Sequence, residues 1–235
     1  KVSLSPFRSL PLPNWNINYN GLSKIKALGK IFTNITLQHR YSGTYNIGGY
    51  TSNLYYNPND TARGGKDLVS QYNINNVNIR EQFSPLIGID VTTKSGITGG
   101  FKINRSRNVS LSVPNAILTE LTSKDFSFNL SYRTSGVKIP IKVNGKKIYL
   151  ENDLLMDMRI SIQNNFTVIR QVDLNSNTIQ SGQRVVMIQP NINYMVNKNV
   201  NLNIYYERRA SKPHASNAFP TALTNFGVKL RYTIQ

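Results

Sequence analysis

The chain has no cysteine. That excludes disulfide staples and thiolate metal sites. Histidine is almost as scarce: His39 and His214 stand far apart in the chain, whereas a metal site needs clustered ligands. Acidic residues number 11 against 28 lysines and arginines, for a formal charge of +17. No stretch approaches the ~20 apolar residues of a transmembrane helix. No Gly-x-Ser-x-Gly elbow and no Walker A loop occurs, and Gly64-Gly65-Lys66 lacks the strand-loop-helix context that cradles phosphate. Asn57-Pro58-Asn59-Asp60 reads as a turn. It lacks the acidic series and terminal Glu of a calcium loop. His39 and Ser42 fall on opposite rows of one strand, so they cannot serve each other as base and nucleophile. These absences predict no catalytic residue, no metal ligand and no cofactor.

What the chain does have is alternation. From 31 to 47 the odd positions read Ile, Thr, Ile, Leu, His, Tyr, Gly, Tyr, Ile. Between them lie Phe32, Asn34, Thr36, Gln38, Arg40, Ser42, Thr44 and Asn46, a row that only Phe32 interrupts. A period of two over this length exceeds the ordinary soluble strand. The last segment repeats it. Phe226, Val228, Leu230, Tyr232 and Ile234 form one row, and Asn225, Gly227, Lys229, Arg231 and Thr233 the other. Similar rows run through 126–132, 156–168, 186–196 and 200–207. The predicted strands are 14–19, 31–47, 77–93, 97–113, 125–134, 154–171, 183–196, 200–210 and 223–235, with a tenth near 50–57. Leu22–Leu28 is the helix candidate.

The expected fold class is all-β: a transmembrane antiparallel β-barrel, here a run of roughly nine or ten long strands read as one domain over 1–235. The mean hydropathy of −0.35 does not oppose this, because apolar and polar residues alternate in such walls. The 13 tyrosines and 9 phenylalanines, often near strand ends, resemble the aromatic girdles of membrane barrels. The connections Lys94-Ser95-Gly96 and Asn197-Lys198-Asn199 are tight. Those spanning 48–76 and 211–222 are long and polar, so short turns mark a periplasmic end and long loops an extracellular one. The stretch 135–153 does not fit, being long on the short-turn side. It contains a hairpin pattern of its own around Asn144-Gly145. The chain opens on Lys1 without a signal-like apolar segment, which reads as a mature chain or a piece of a longer one.

On this reading Asn34, Thr36, Gln38, Arg40, Asn225, Lys229, Arg231 and Thr233 face a lumen. Phe226, Val228, Leu230, Tyr232 and Ile234 face lipid and form the assembly strand. Arg40, Arg133, Arg159, Lys229 and Arg231 lie on polar rows. They bias an aqueous channel toward anions, or they are ordinary lumen solvation paired to carboxylates elsewhere. The strong positive charge asks for an anionic partner. Nucleic acid is not expected, because the cations form no dense run and the aromatics sit mostly on apolar rows, away from a stacking platform.

Several stretches carry a resemblance. They are Pro13-Asn14-Trp15-Asn16-Ile17-Asn18-Tyr19-Asn20-Gly21-Leu22, Ser52-Asn53-Leu54, Phe83-Ser84-Pro85-Leu86-Ile87-Gly88-Ile89-Asp90-Val91-Thr92 and Arg105-Ser106-Arg107-Asn108-Val109-Ser110-Leu111. Phe219-Pro220-Thr221 and Thr224-Asn225-Phe226-Gly227-Val228-Lys229-Leu230-Arg231-Tyr232 complete the set. In this order they resemble the C-terminal portion of the SprA/Sov family, the outer-membrane translocon of the type IX secretion system of Bacteroidota. The resemblance covers essentially the whole chain. It implies an outer-membrane protein secretion channel linked to gliding motility, passing folded cargo proteins that carry a C-terminal signal. The implied partners are the remainder of the same barrel, a PorV-like shuttle barrel at a lateral opening, a plug protein, and outer-membrane lipid or lipopolysaccharide. The resemblance brings no catalytic residues. About ten strands close only a narrow barrel, so a self-contained chain would instead be a small porin-like barrel.

Overall fold

The computed structural model describes residues 13–56, 70–143, 146–197, 199–214 and 218–233. Its strands are β1 Trp15–Tyr19, β2 Phe32–Ile47, β3 Tyr50–Ser52, β4 Tyr72–Ile74, β5 Asn76–Thr93, β6 Ile97–Ser112, β7 Ile117–Val143, β8 Lys146–Gln171, β9 Ser176–Met195, β10 Val200–Pro213 and β11 Thr221–Tyr232. Nine of them form a single antiparallel sheet in the order β1-β2-β5-β6-β7-β8-β9-β10-β11. Most successive sheet strands are joined by connections too short for a crossover and so pair as hairpins, while β2 and β5 pair across the long 48–75 connection. β3 and β4 form a separate two-stranded ribbon inside the long connection between β2 and β5. All nine expected strands are present, and the tenth is the β3 half of that ribbon. The helix candidate 22–28 is instead two short 3-10 turns, Gly21–Lys24 and Leu28–Lys30.

The hairpin ends differ from the expectation. Residues 114–124 and 172–182, read as connections, belong largely to strands. β6 turns into β7 through 113–116, and β8 into β9 through 172–175. The loop-length contrast between the two ends is therefore weaker than the alternation suggested. The reason is visible in β7: Leu118, Glu120, Thr122 and Lys124 occupy the row that Phe126 and Phe128 continue. Charges on that row hide the period of two. Only pairing with β6 and β8 reveals the strand. The stretch 135–153 resolves similarly. It is the outer part of one long β7–β8 hairpin, continuing from Val137 opposite Asn152 to Val143 opposite Lys146. Its expected turn residues, Asn144-Gly145, lie outside the described residues.

Two bulges rescue the pattern where the sequence breaks it. Between Phe32 and Asn34 the register slips by one, so Phe32 stands opposite Thr93 while Asn34 stands opposite Thr92. The slip moves the one exception in β2 onto the apolar face. Between Thr167 and Val168 a second slip pairs Val168 with Ile179, with Gly182 nearby at φ +146°.

The sheet is one layer. The whole chain's accessible surface is 17374 Å², whereas a compact monomer of this mass exposes ~10,700 Å². Among the described residues only Ile35, Tyr41, Val109, Val185 and Tyr194 are buried hydrophobics. Among the described residues no second sheet or helix layer covers either face. The strands are also long. β7 has 27 residues and β8 has 26, whereas ~9–11 suffice to cross a bilayer.

Candidate functional site

The register settles which residues share a face. Side chains directly opposite in an antiparallel pair point the same way. Leu37, Ile89, Phe101, Phe128, Ile160 and Ile188 are successive partners from β2 through β9. The neighbouring row runs Gln38, Gly88, Lys102, Ser127, Ser161, Met187, Arg209 and Leu223. Alternation along each strand then extends both faces across all nine strands. One face carries Trp15, Ile17, Ile35, Leu37, Ile89, Phe101, Phe128, Ile160, Ile192, Ile204 and Val228. The other is dominated by Asn, Ser, Thr, Gln and charge.

Asn34, Thr36, Gln38 and Arg40 on β2 lie on the polar face together with Asn225, Lys229 and Arg231 on β11, with six strands between them. Phe226, Val228, Leu230 and Tyr232 lie on the apolar face. Phe226 and Leu230 are each 69% exposed, and nothing among the described residues covers them. Thr233 lies just past β11, where its backbone N–H donates to the Asn199 carbonyl at 2.8 Å. Ile234 lies outside the described residues.

On the polar face the side chains bond mostly to one another. Gln38 Nε2 donates to Asp90 Oδ2 at 3.1 Å, and Lys102 Nζ lies 3.2 Å from the same oxygen. Asn203 Nδ2 reaches Asn191 Oδ1 at 2.6 Å and Asn193 Oδ1 at 2.7 Å, an amide cluster bridging β9 and β10. Lys229 Nζ sits 4.8 Å from the centre of the Tyr205 ring. An open trough runs between Asn193, Asn201, Asn203, Lys229 and Arg231. Arg133 pairs with Asp153 at 3.0 Å. Arg40, Arg159, Arg209 and Arg231 make no ion pair among the described residues. This surface can hold water and solvate charge; it presents no nucleophile–base pair.

The histidines are apart. His39 Nδ1 donates to the Leu86 carbonyl at 2.6 Å, beside the bulges that interrupt β2 at Gln38–Tyr41 and β5 at Phe83–Ile87. Its ring lies against Trp15 and Phe83. His214 Nε2 is 2.6 Å from Asn164 Oδ1. No group of three metal-ligating side chains occurs among the described residues.

Sequence reasoning missed a set of charges on the apolar face. Arg105, Lys124 and Arg184 follow Ile103, Phe126 and Val186 on the same row of their strands. The signal was present: each cation stands two positions from an apolar row residue. Lys124 fell in a stretch read as a connection, whereas Arg105 and Arg184 lay inside expected strands and were aligned only once the register set these residues across from one another. Glu81, Arg107, Glu120 and Arg170 form a network beyond them, with Arg107 Nε 2.7 Å and Arg170 3.3 Å from Glu120.

These features define an all-β protein: a long-stranded, two-faced antiparallel sheet of the kind found in the walls of outer-membrane barrels. Compared with known proteins, the chain matches no family model and no curated protein.

Proposed function

We propose that this chain is part of the wall of a transmembrane β-barrel of the outer membrane, with its polar face toward an aqueous lumen. The observation that carries the reading is the coherence of two faces over nine strands in a sheet with no covering layer. In water, the apolar face would be an exposed patch far beyond the few hundred Å² that soluble monomers tolerate. In lipid it is at home, and the strand-to-strand hydrogen bonds leave no backbone group unsatisfied except at edges. β1 and β11 are those edges, and among the described residues they do not pair with each other. Further strands of the same barrel are the natural partners. The lumen residues are then Asn34, Thr36, Gln38, Arg40, Asn225, Lys229, Arg231 and Thr233. The lipid and assembly residues are Phe226, Val228, Leu230, Tyr232 and Ile234.

The resemblance to the SprA/Sov family narrows the reading to the protein-conducting channel of type IX secretion. A lumen of amides and hydroxyls suits that task, because folded cargo slides past a wet surface without an apolar hold. The shuttle barrel, the plug and the signal-bearing cargo enter as partners on that resemblance. The rival is a small porin-like barrel, in which β1 and β11 would close on each other. Denaturing-gel mass and peptide mapping of an outer-membrane fraction separate the two. A very large parent chain containing these peptides, whose loss strands signal-bearing cargo in the periplasm, is the expected result. A chain of this mass that closes alone in detergent would leave the porin. A chain that stays soluble without detergent would overturn the barrel itself.

A further inference from the structure

Across β6–β9 the apolar face ends in a cationic row, and on β10 Arg208, opposite Ile188, stands ahead of it. Arg105 on β6 stands directly opposite Lys124 on β7. Lys124 is opposite Asn164 on β8, Asn164 opposite Arg184 on β9, and Arg184 opposite Lys212 on β10. Four cations and one amide thus occupy a single row across five strands. All four cations are exposed, and none has an ion-pair partner among the described residues. Like charges directly opposite one another destabilise a sheet. Here that happens twice, at Arg105–Lys124 and Arg184–Lys212. The two acids described on this face, Glu81 and Glu120, are engaged instead by Arg107 and Arg170. The row therefore lacks an anion that the described residues do not supply.

Its surroundings identify the anion. Immediately toward the 94–96 turn lie Ile103, Phe126, Ile162 and Val186, on the same face. In the other direction along the row stand Phe83, Tyr41 and Trp15, opposite one another, with Tyr41 tilted against Phe83 at 5.0 Å between ring centres and stacked on Trp15 at 4.5 Å. Aromatics and cations bordering an apolar band mark a membrane interface. The row also sits toward the end that bears the long 48–75 connection, the extracellular end on the barrel reading.

We infer that Arg105, Lys124, Arg184 and Lys212, with Asn164, bind the phosphate groups of outer-leaflet glycolipid and set the depth of the wall in the membrane. Arginine forks two phosphate oxygens, lysine contributes a point charge, and both keep their stems along the apolar band. The inference rests on the barrel reading.

The test uses the full protein reconstituted into net-neutral phosphatidylcholine vesicles, with and without lipid A. One variant carries Arg105→Gln, Lys124→Gln, Arg184→Gln and Lys212→Gln. A control removes the same charge from the polar face through Arg40→Gln, Arg159→Gln, Arg209→Gln and Arg231→Gln. Lipid A retained per chain is the readout. The row variant should lose about tenfold or more in lipid A affinity, while the control keeps the native value. Equal losses in both, or none in the row variant, would overturn the site. So would full displacement of lipid A by millimolar inorganic phosphate, which indicates a free-ion site. If the fourfold variant does not incorporate, the two opposed pairs are changed separately, and each should give a partial loss. Failure of the native chain to enter even neutral vesicles would sink the barrel reading, a result distinct from loss of lipid preference.

Discussion

The two halves of β6–β9 share strands, register and alternation, yet one of their faces changes character halfway. Near the 94–96 turn the apolar face reads Ile97, Phe101, Ile103, Phe126, Phe128, Met158, Ile160 and Ile188. Beyond Arg105 and Lys124 it carries Arg107, Thr122, Glu120 and Arg170 among Val109, Phe166 and Val168. The opposite face is mostly polar in both halves, with Leu121, Leu155, Val185 and Met187 among its exceptions. Pairing and facing are thus set by the period of two, which both halves obey. Environment is set by which residue types fill the rows. The contrast separates two jobs that alternation alone confounds: building a sheet, and, on the proposed barrel reading, deciding where lipid begins and ends.

The largest expected break of this contrast is Ile160→Lys, in the middle of the apolar half. Burying that charge against lipid should cost ~2–4 kcal/mol, whereas Val168→Lys on the same face of the same strand should cost under ~1. Urea titration of the vesicle-folded protein checks both. Equal costs would erase the difference between the halves.

Next is the turn that closes the apolar half. Gly96 has φ +84°, and a Cβ there would meet the Arg133 carbonyl at 2.8 Å. Gly96→Ala should lose ~1–3 kcal/mol in the same titration, since both the left-handed backbone and the contact oppose it. A neutral result would mean that the turn relaxes freely.

In the charged half, Glu120→Gln removes the carboxylate shared by Arg107 and Arg170. A loss of ~1 kcal/mol is expected, smaller at high salt. An effect independent of ionic strength would point to packing. At the polar face Lys229→Gln should change stability by less than ~0.5 kcal/mol, while conductance of the reconstituted barrel shifts away from anions. An unchanged ion preference would take Lys229 out of the conducting lumen.

Much of this was legible in the chain. In β2 and β11 each polar position is bracketed by apolar ones, so the facing of Gln38, Lys229 and Val228 followed from counting. The tight turns at 94–96 and 197–199 were legible for a local reason. Asn197 Oδ1 accepts from the N–H groups of Asn199 and Val200 at 2.9 and 2.8 Å, a bond available to Asn within a few residues. The extensions of β7 through 117–124 and of β9 through 176–182 were not legible. Their rows mix Glu, Lys, Thr, Gly and Asn, and such residues become strand only when a neighbouring strand offers its hydrogen bonds.

By itself, then, the sequence determined the class of structure, the strands with clean alternation and the composition of each row, because side-chain direction along a strand is a local property. The tertiary structure decided register. It put Phe32 on the apolar side through a one-residue slip, joined 135–153 into a single long hairpin, and aligned Arg105, Lys124, Arg184 and Lys212 across strands separated by dozens of residues. Spacing along one strand cannot encode such a row, since it exists only once neighbouring strands choose which residues stand opposite.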